Sequence, residues 1–313
     1  MSATPRLIYT GQAIVDIVMR IDQLPPRGGE VAAASADLAV GAGFNIMAAA
    51  RRQGMQVLYA GSHGRGTMGN RVRQALADEQ IDCLAPVDER RDSGFCIALI
   101  DADGERTFVT RQGAEEEVDA KQLWALRLQH GDWLHVSGYS LLYAAKAEAL
   151  LNWLQQLPTA LSVVFDPGPR LASIPVEYLD RLLPRISVWS SNAEETRSFG
   201  AHQDLEAALR TIARQLAPDA LLIARDGANG CRLLRHGVCH NITGFPVVAV
   251  DTNGAGDAHS GVLIAGLAHH LPADEACHRA NAAAAIAVSR HGPAMAPTQH
   301  ELNDFLTEHH STY

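Results

Sequence analysis

Hydrophobic residues along this chain alternate between two spacings. Short apolar runs at Trp133–Ser137, Leu161–Phe165, Ile186–Ser190 and Ala220–Ala224 are separated by helical patterns near 141–157, 175–183, 193–198 and 204–216. Strand and helix alternating in this way predict right-handed βαβ crossovers and a mostly parallel sheet. Upstream, the pattern gives strands at Leu7–Thr10 and Gln56–Gly61, an Ala-rich helix opened by Val40–Asn45 and reaching about Gln53, and a helix Asn70–Gln80. Downstream, the run Pro246–Val250 reads as a buried strand, and helices follow at about Ala258–His269, Asp274–Ser289 and Glu301–His309.

Two stretches break the alternation. Ile14–Ile21 and Val31–Val40 read as extended segments divided by Pro25-Pro26-Arg27-Gly28-Gly29. Gly94–Asp101 and Glu105–Arg111 read as a hairpin turning at Asp101-Ala102-Asp103-Gly104, with no helix between. A parallel core has no need of such strands. They are assigned to a small β lid, about 14–38 and 92–112, inserted into one α/β domain spanning 1–313. Such a lid would cover a substrate and exclude water. The acidic run Glu115-Glu116-Glu117 reads as a solvated helix start.

Composition narrows the function classes. Of 313 residues, 47% are hydrophobic and 19% charged, which describes a compact fold. A net charge of −9 argues against a nucleic-acid backbone as partner. No apolar run approaches the roughly eighteen residues that span a bilayer, and the first residues lack a signal-peptide core, so a cytoplasmic protein without a membrane partner is expected. The five cysteines are scattered, with no Cys-x-x-Cys, and read as free thiols.

Chemistry concentrates in the turn Val250-Asp251-Thr252-Asn253-Gly254-Ala255-Gly256-Asp257. Gly254 and Gly256 permit dihedrals that side chains forbid, and such a turn aims successive N–H groups into one space at the positive end of a helix. That suits phosphate. Asp257 would repel a phosphate there, unless it takes a proton from a hydroxyl that then attacks phosphorus. The plainer alternative makes Asp257 a helix N-cap.

Earlier in the chain, Asp16 lies among Ile14, Val15, Ile17 and Val18, where a carboxylate needs a partner, a wet cleft or an edge facing water. The small residues of Val40-Gly41-Ala42-Gly43-Phe44-Asn45 admit a ligand close to backbone, and Asn45 offers a donor and an acceptor. Gly64-Arg65-Gly66-Thr67-Met68-Gly69 spells a dinucleotide fingerprint, with Asp82, Asp88 and Glu89 near the offset of a ribose ligand, so an NAD-dependent dehydrogenase is an alternative. Against it, the motif follows earlier strands and a helix rather than the first strand of its domain. No Gly-Lys-Ser/Thr phosphate loop occurs. Following successive predicted strands come Gly138, Asp166-Pro167-Gly168-Pro169-Arg170, Ser191-Asn192-Ala193-Glu194-Glu195 and Arg225-Asp226-Gly227-Ala228-Asn229-Gly230. Asn192 followed by acids reads equally well as a helix cap.

The stretch Asp251–Ala258 resembles the C-terminal signature of the ribokinase-like (PfkB) family of carbohydrate and nucleoside kinases. Gly41–Asn45 is similar to the family's N-terminal Gly-Gly-x-x-x-Asn, with Val40 replacing the first Gly. Asp166–Arg170 is similar to its Asp-Pro-Asn-x-Arg, with Gly168 replacing Asn, and His259 stands where the family has Phe. The resemblance covers essentially the whole chain. It implies a ribokinase-like α/β fold, a mostly parallel sheet flanked by helices in three layers, with a small β-sheet lid. It also implies an ATP- and Mg2+-using phosphotransferase acting on a hydroxymethyl group of a sugar or polyol. By resemblance Asp257 is the base, the backbone of Gly254, Ala255 and Gly256 forms the anion hole, and Asp16, Gly41 and Asn45 hold the acceptor. Asn192 and Glu195 organise phosphate and Mg2+, Glu195 through water; Arg225, Gly227 and Gly230 belong to the nucleotide-side loop, with Arg225 where many relatives have Thr; Asn281 lies near adenine. The resemblance leaves open a monovalent cation such as K+ near Asp251, a homodimer through the lid sheet, a nucleoside acceptor, and a non-catalytic sugar- or nucleotide-binding protein on the same scaffold. Aromatic content of 5% favours a sugar over a nucleobase-bearing acceptor.

Overall fold

The computed structural model of the chain describes residues 4–292 and 294–310. Among them, nine strands form one sheet in the order Val238–Ile242 (β15), Cys231–Arg235 (β14), Leu221–Arg225 (β13), Val188–Asn192 (β12), Ser162–Asp166 (β11), Trp133–Ser137 (β10), Arg6–Tyr9 (β1), Gln56–Tyr59 (β4) and Asp82–Cys83 (β6). All neighbours from β13 to β6 are parallel, and β14 and β15 continue the sheet as an antiparallel hairpin.

Strand alternation divides the core between two faces. Leu7 and Tyr9 of β1 and Val164 of β11 pack against Gly43–Arg52 (α1), Thr67–Asp78 (α2), Ala255–Ala268 (α8), Ala273–Val288 (α9) and Gln299–His310 (α10). Ile8, Val163 and Phe165 pack against Ala120–Ala125 (α3), Ala144–Gln156 (α4), Val176–Leu182 (α5), Ala193–Phe199 (α6) and Leu205–Ala213 (α7). The result is the expected three-layer fold. Helix α8 is buried along most of its length, which an all-round apolar helix requires. Its small residues permit close packing: a Cβ at Gly261 would meet Ala49 Cβ and Ile46 O at 2.5 Å.

A second sheet has the order Ser35–Ala42 (β3), Ala13–Arg20 (β2), Phe95–Ile100 (β8), Arg106–Arg111 (β9), with β2 and β8 parallel and both outer pairs antiparallel. Its junctions with the core are pinned by buried charge. Lys146, 1% exposed, donates to Glu115 O at 2.7 Å and Gly11 O at 3.4 Å. Burial pushes the Lys146 amine down to about 8. The Glu115 carboxylate accepts the N–H groups of Gly94 and Gly113, each at 2.8 Å. Glu115 is therefore not part of a solvated helix start. It is 3% exposed in a 3-10 turn, because orphan amides where β8 begins and β9 ends need an acceptor.

Two further expectations change. Residues 246–250 are not a buried strand; Val248 is 83% exposed and the segment joins no ladder among the described residues. Pro246 removes a donor, and the chain is tied instead to α9 before the segment and at its end: Asn281 Nδ2 donates to Ile242 O and Thr243 O, and Val250 N to Val288 O. The Gly64–Gly69 fingerprint carries an internal anion. Asp92 accepts from Met68 N at 3.1 Å and Gly69 N at 2.8 Å, so a carboxylate of the chain itself fills the start of α2.

Candidate active site

Parallel strands gather their ligands beyond their carboxyl ends. A cavity of about 540 Å³ lies there, lined by Tyr9 of β1, His135 and Ser137 of β10, Asp166 of β11, Glu195 after β12 and Arg225 of β13. The small sheet closes it from above with Asp16, Cys96, Phe108 and Thr110, while Asn45, Gly256 and Asp257 come from the starts of α1 and α8. Chain positions far apart in sequence thus converge on one cleft.

The turn before α8 is built as the glycine pattern suggests, with one difference. Gly254 is the helix N-cap at φ 75°, where glycine is favoured. Gly256 is already helical, so positive φ does not explain it. A Cβ there would stand 3.5 Å from the Arg225 guanidinium, an ordinary contact, so packing against that side chain does not require glycine either. Asp257 is the third helical residue and does not cap the helix. First-turn N–H groups lack intrahelical acceptors and present a positive helix end to the cleft.

Asp257 Oδ2 accepts from Asn45 Nδ2 at 2.9 Å. Burial raises its carboxyl to about 7; the Asn45 bond opposes this and the nearby Asp166 adds to it. A carboxylate so tuned can take a proton from an alcohol near neutral pH. Asn45 is 3% exposed, and its Oδ1 has no protein partner among the described residues. Asp16 lines the same cavity, and burial lifts it to about 6. The small residues where β3 runs into α1 follow from these neighbours: a Cβ on Gly41 would run into Asp16 Oδ2, and one on Gly43 into the Tyr9 hydroxyl. Ala42 between them holds φ 53°, ψ −134°, a strained conformation for a residue with a Cβ.

Arg225 is enclosed. Its Nη1 donates to Asp166 Oδ2 at 2.9 Å and Ser260 Oγ at 2.7 Å, and lies 3.4 Å from Gly256 O. Glu195 Oε2 is 3.9 Å from Nη2. Burial works against the charge, but Asp166 and Glu195 outweigh it and hold the guanidinium above its ordinary value. Asn192 and Glu195 form a capping box on α6, Asn192 N donating to Glu195 Oε2 at 2.9 Å and Glu195 N to Asn192 Oδ1 at 2.8 Å. The cap reading of Asn192 thus holds, while the Glu195 carboxylate also lines the cleft. Burial, reinforced by Asp166, raises Glu195.

A family model for pfkB family carbohydrate kinases matches residues 6–299 of the sequence. The chain belongs to this family. An Escherichia coli (strain K12) relative named "uncharacterized sugar kinase YegV" is 32% identical over 95% of this chain and 92% of its own. A Klebsiella pneumoniae fructokinase is 30% identical over 74% of this chain and 77% of its own. The Arabidopsis thaliana ribokinase solved with ribose and ATP superposes with a TM-score of 0.77 at 19% identity, covering 97% of this chain and 99% of that one. This pfkB-family protein is a sugar kinase with a ribokinase-like fold. That membership, with Asp92 on the glycine fingerprint, removes the dehydrogenase alternative.

Of the residues singled out from sequence, Asp16, Asn45, Glu195, Arg225, Gly256 and Asp257 line one cleft. Gly227 and Gly230 lie in the turn after β13, at φ 56° and 89°. Asn281 spends both amide hydrogens on backbone carbonyls. His259 is 2% exposed and sits against the Cys231 thiol, a packing position. Gly168 has φ 65°, a conformation open to Asn as well as Gly, which accounts for the exchange with the family's Asn. Sequence reasoning missed Tyr9 and His135, whose rings stack at 4.9 Å in the cleft floor, because alternation marks them only as core. It also missed Arg106 of the kinase, whose Nη2 lies 3.0 Å from Asp251 Oδ1 and 3.1 Å from Thr252 Oγ1. The spot near Asp251 where the resemblance leaves a monovalent cation open therefore faces a guanidinium.

Proposed function

We propose that this kinase transfers the γ-phosphoryl group of ATP to a hydroxymethyl oxygen of a sugar or related polyol, with Asp257 as general base. The observation carrying the proposal is the placement of Asp257. It is a buried carboxylate raised to about 7, held by Asn45 at the positive end of α8 and sharing a cleft with Asp16. Asp16, Gly41 and Asn45 orient the acceptor, the unpartnered Asn45 Oδ1 taking one of its hydroxyl hydrogens. Asp257 accepts the proton of the attacking hydroxyl, and the amides of Gly254, Ala255 and Gly256 stabilise charge on the phosphoryl group. Glu195 would hold Mg2+ through water, since its carboxylate lines the cleft and the nearby Arg225 gives its closer ion pair, at 2.9 Å, to Asp166; Mg2+ supplies charge neutralisation of the nucleotide phosphates. Arg225 braces the first turn of α8 from behind, and the Gly227–Gly230 turn flanks the nucleotide. The Arabidopsis relative binding ribose and ATP supports this assignment.

Residues 14–38 and 92–112 act as a lid on this reading, and the edge of β9, unpaired among the described residues, is the surface for a homodimer. A nucleoside acceptor is the second arm, because Phe108, 60% exposed, offers a face on the cleft for a base. The test is ADP release with Mg2+-ATP across pentoses, hexoses, sugar acids, sugar phosphates and nucleosides, with Asp257→Asn as the blank. A hit that disappears in the variant supports the class and names the acceptor. ATP binding without turnover on any acceptor favours a binding protein, and no ATP binding removes the proposal.

A further inference from the structure

We infer that Arg106 is a positioning residue whose guanidinium replaces a monovalent cation at Asp251, making this kinase independent of such ions and tying its phosphate-binding turn to the lid. The inference rests on the lid and base assignments above.

Asp251 opens the turn that carries Gly254 and Asp257. Its side chain is 6% exposed, and it organises two segments at once. Oδ1 accepts from Asn253 N at 2.9 Å, inside the turn, and Oδ2 from Gly292 N at 3.3 Å, in the loop after α9. A buried carboxylate in this position needs a counter-charge, or the groups it holds are displaced.

The counter-charge comes from the second sheet. The register of that sheet places Arg20, Ile100 and Arg106 side by side across β2, β8 and β9. From this row Arg106 Nη2 reaches Asp251 Oδ1 at 3.0 Å and Thr252 Oγ1 at 3.1 Å, and Arg20 Nη2 comes to 4.0 Å from Oδ2. Asp37 and His291 line the same seam, a cavity of about 410 Å³ that shares Phe108 and Asn253 with the main cleft. A free cation on Asp251 would sit against two guanidinium groups and be repelled by both. The carboxylate and Thr252 hydroxyl that such an ion needs are already engaged by Arg106. The residues present do not fit the ion.

There is a functional corollary. A diffusible ion would neutralise Asp251 whether the lid were docked or not. A lid arginine does so only when docked, so docking of the lid and completion of the phosphate-binding turn are one event.

Two readouts test this. Thermal melts without nucleotide, in choline, Na+, K+ and NH4+ chlorides at equal ionic strength, should leave the wild-type Tm unchanged among cations, whereas Arg106→Met should be raised selectively by K+ or NH4+. Initial rates in the same salts, with the best acceptor, should differ by less than about twofold for wild type. Arg106→Met should lose about tenfold or more in kcat with a smaller change in acceptor KM, and recover part of it with K+, NH4+ or guanidinium. Arg106→Lys should keep most of the rate. Arg20→Met, removing the more distant partner, serves if Arg106→Met does not fold and should show the same cation response in weaker form. Selective stabilisation or strong activation of the wild type by K+ overturns the inference, as does an Arg106→Met enzyme with wild-type kcat and cation profile. If no acceptor is turned over in any salt, the kinase mechanism fails, while the melts still decide the cation question.

Discussion

Asp257→Asn separates chemistry from stability, because the same burial that tunes the carboxylate makes it costly to the fold. Native burial raises the carboxyl from 3.8 to about 7. A rise of about three pH units corresponds to about 4 kcal/mol at about 1.4 kcal/mol per unit, the most that ionised Asp257 can cost the native state. Water in the cleft screens part of this, and about 2 kcal/mol is a reasonable expectation. The sign follows from proton binding. The native protein binds this proton more tightly than the unfolded chain, so that contribution to stability is complete below pH 3.8 and is lost as pH rises through about 7. Asparagine keeps the shape and an acceptor for Asn45 but carries no charge. Its melting temperature should match wild type near pH 4 and exceed it by about 4 °C at pH 8. Turnover should fall about 10²–10⁴-fold with ATP affinity retained, since that is what a positioned base contributes. Melts from pH 4 to 8, with ADP release on the best acceptor, make the comparison. Equal melting temperatures at pH 8, or turnover within about tenfold of wild type, would refute the reasoning.

Three further outcomes follow from neighbouring residues. Asn45→Leu removes the hydrogen bond that opposes protonation of Asp257, so the acid limb of kcat/KM, near pH 7 in wild type, should move upward; an unmoved limb separates the two residues. Gly41→Ala drives a methyl group into the Asp16 carboxylate and should raise the acceptor KM about tenfold without changing the KM for ATP, as read from paired saturation curves. Ala42→Gly relieves a strained φ of 53° and should stabilise the protein by about 1 kcal/mol, measurable as a higher urea midpoint; a lower midpoint would mean that the Cβ packs better than its backbone cost.

Where the pattern is local, the sequence predicts the structure closely. The strands from Trp133 to Arg225 and the helices between them lie within a few residues of their expected places, because burial on both sheet faces gives apolar runs with clear ends. Pro246–Val250 misled because an apolar run carries no information about whether a neighbouring strand exists to pair with it. Glu115 misled because three acids in a row read as solvent-facing, whereas the middle of a junction needed one acceptor for two amides. In the cleft, Asp16, Asn45 and Asp257 were legible as polar residues placed among apolar or glycine-rich ones. Arg106 was not, because an arginine at a hairpin end looks like any exposed charge, and its partner lies 145 residues away.

The carboxylate at the start of α2 has its own consequence. Asp92 meets the amides of Met68 and Gly69 as a tethered ligand, and tethering sets an effective local concentration of about millimolar or above. A free phosphate or nucleotide must therefore compete with an occupant that never diffuses away. The glycine fingerprint thus behaves as a self-inhibited anion receptor, saturated from the moment the chain folds, and a phosphate could enter it only by displacing Asp92.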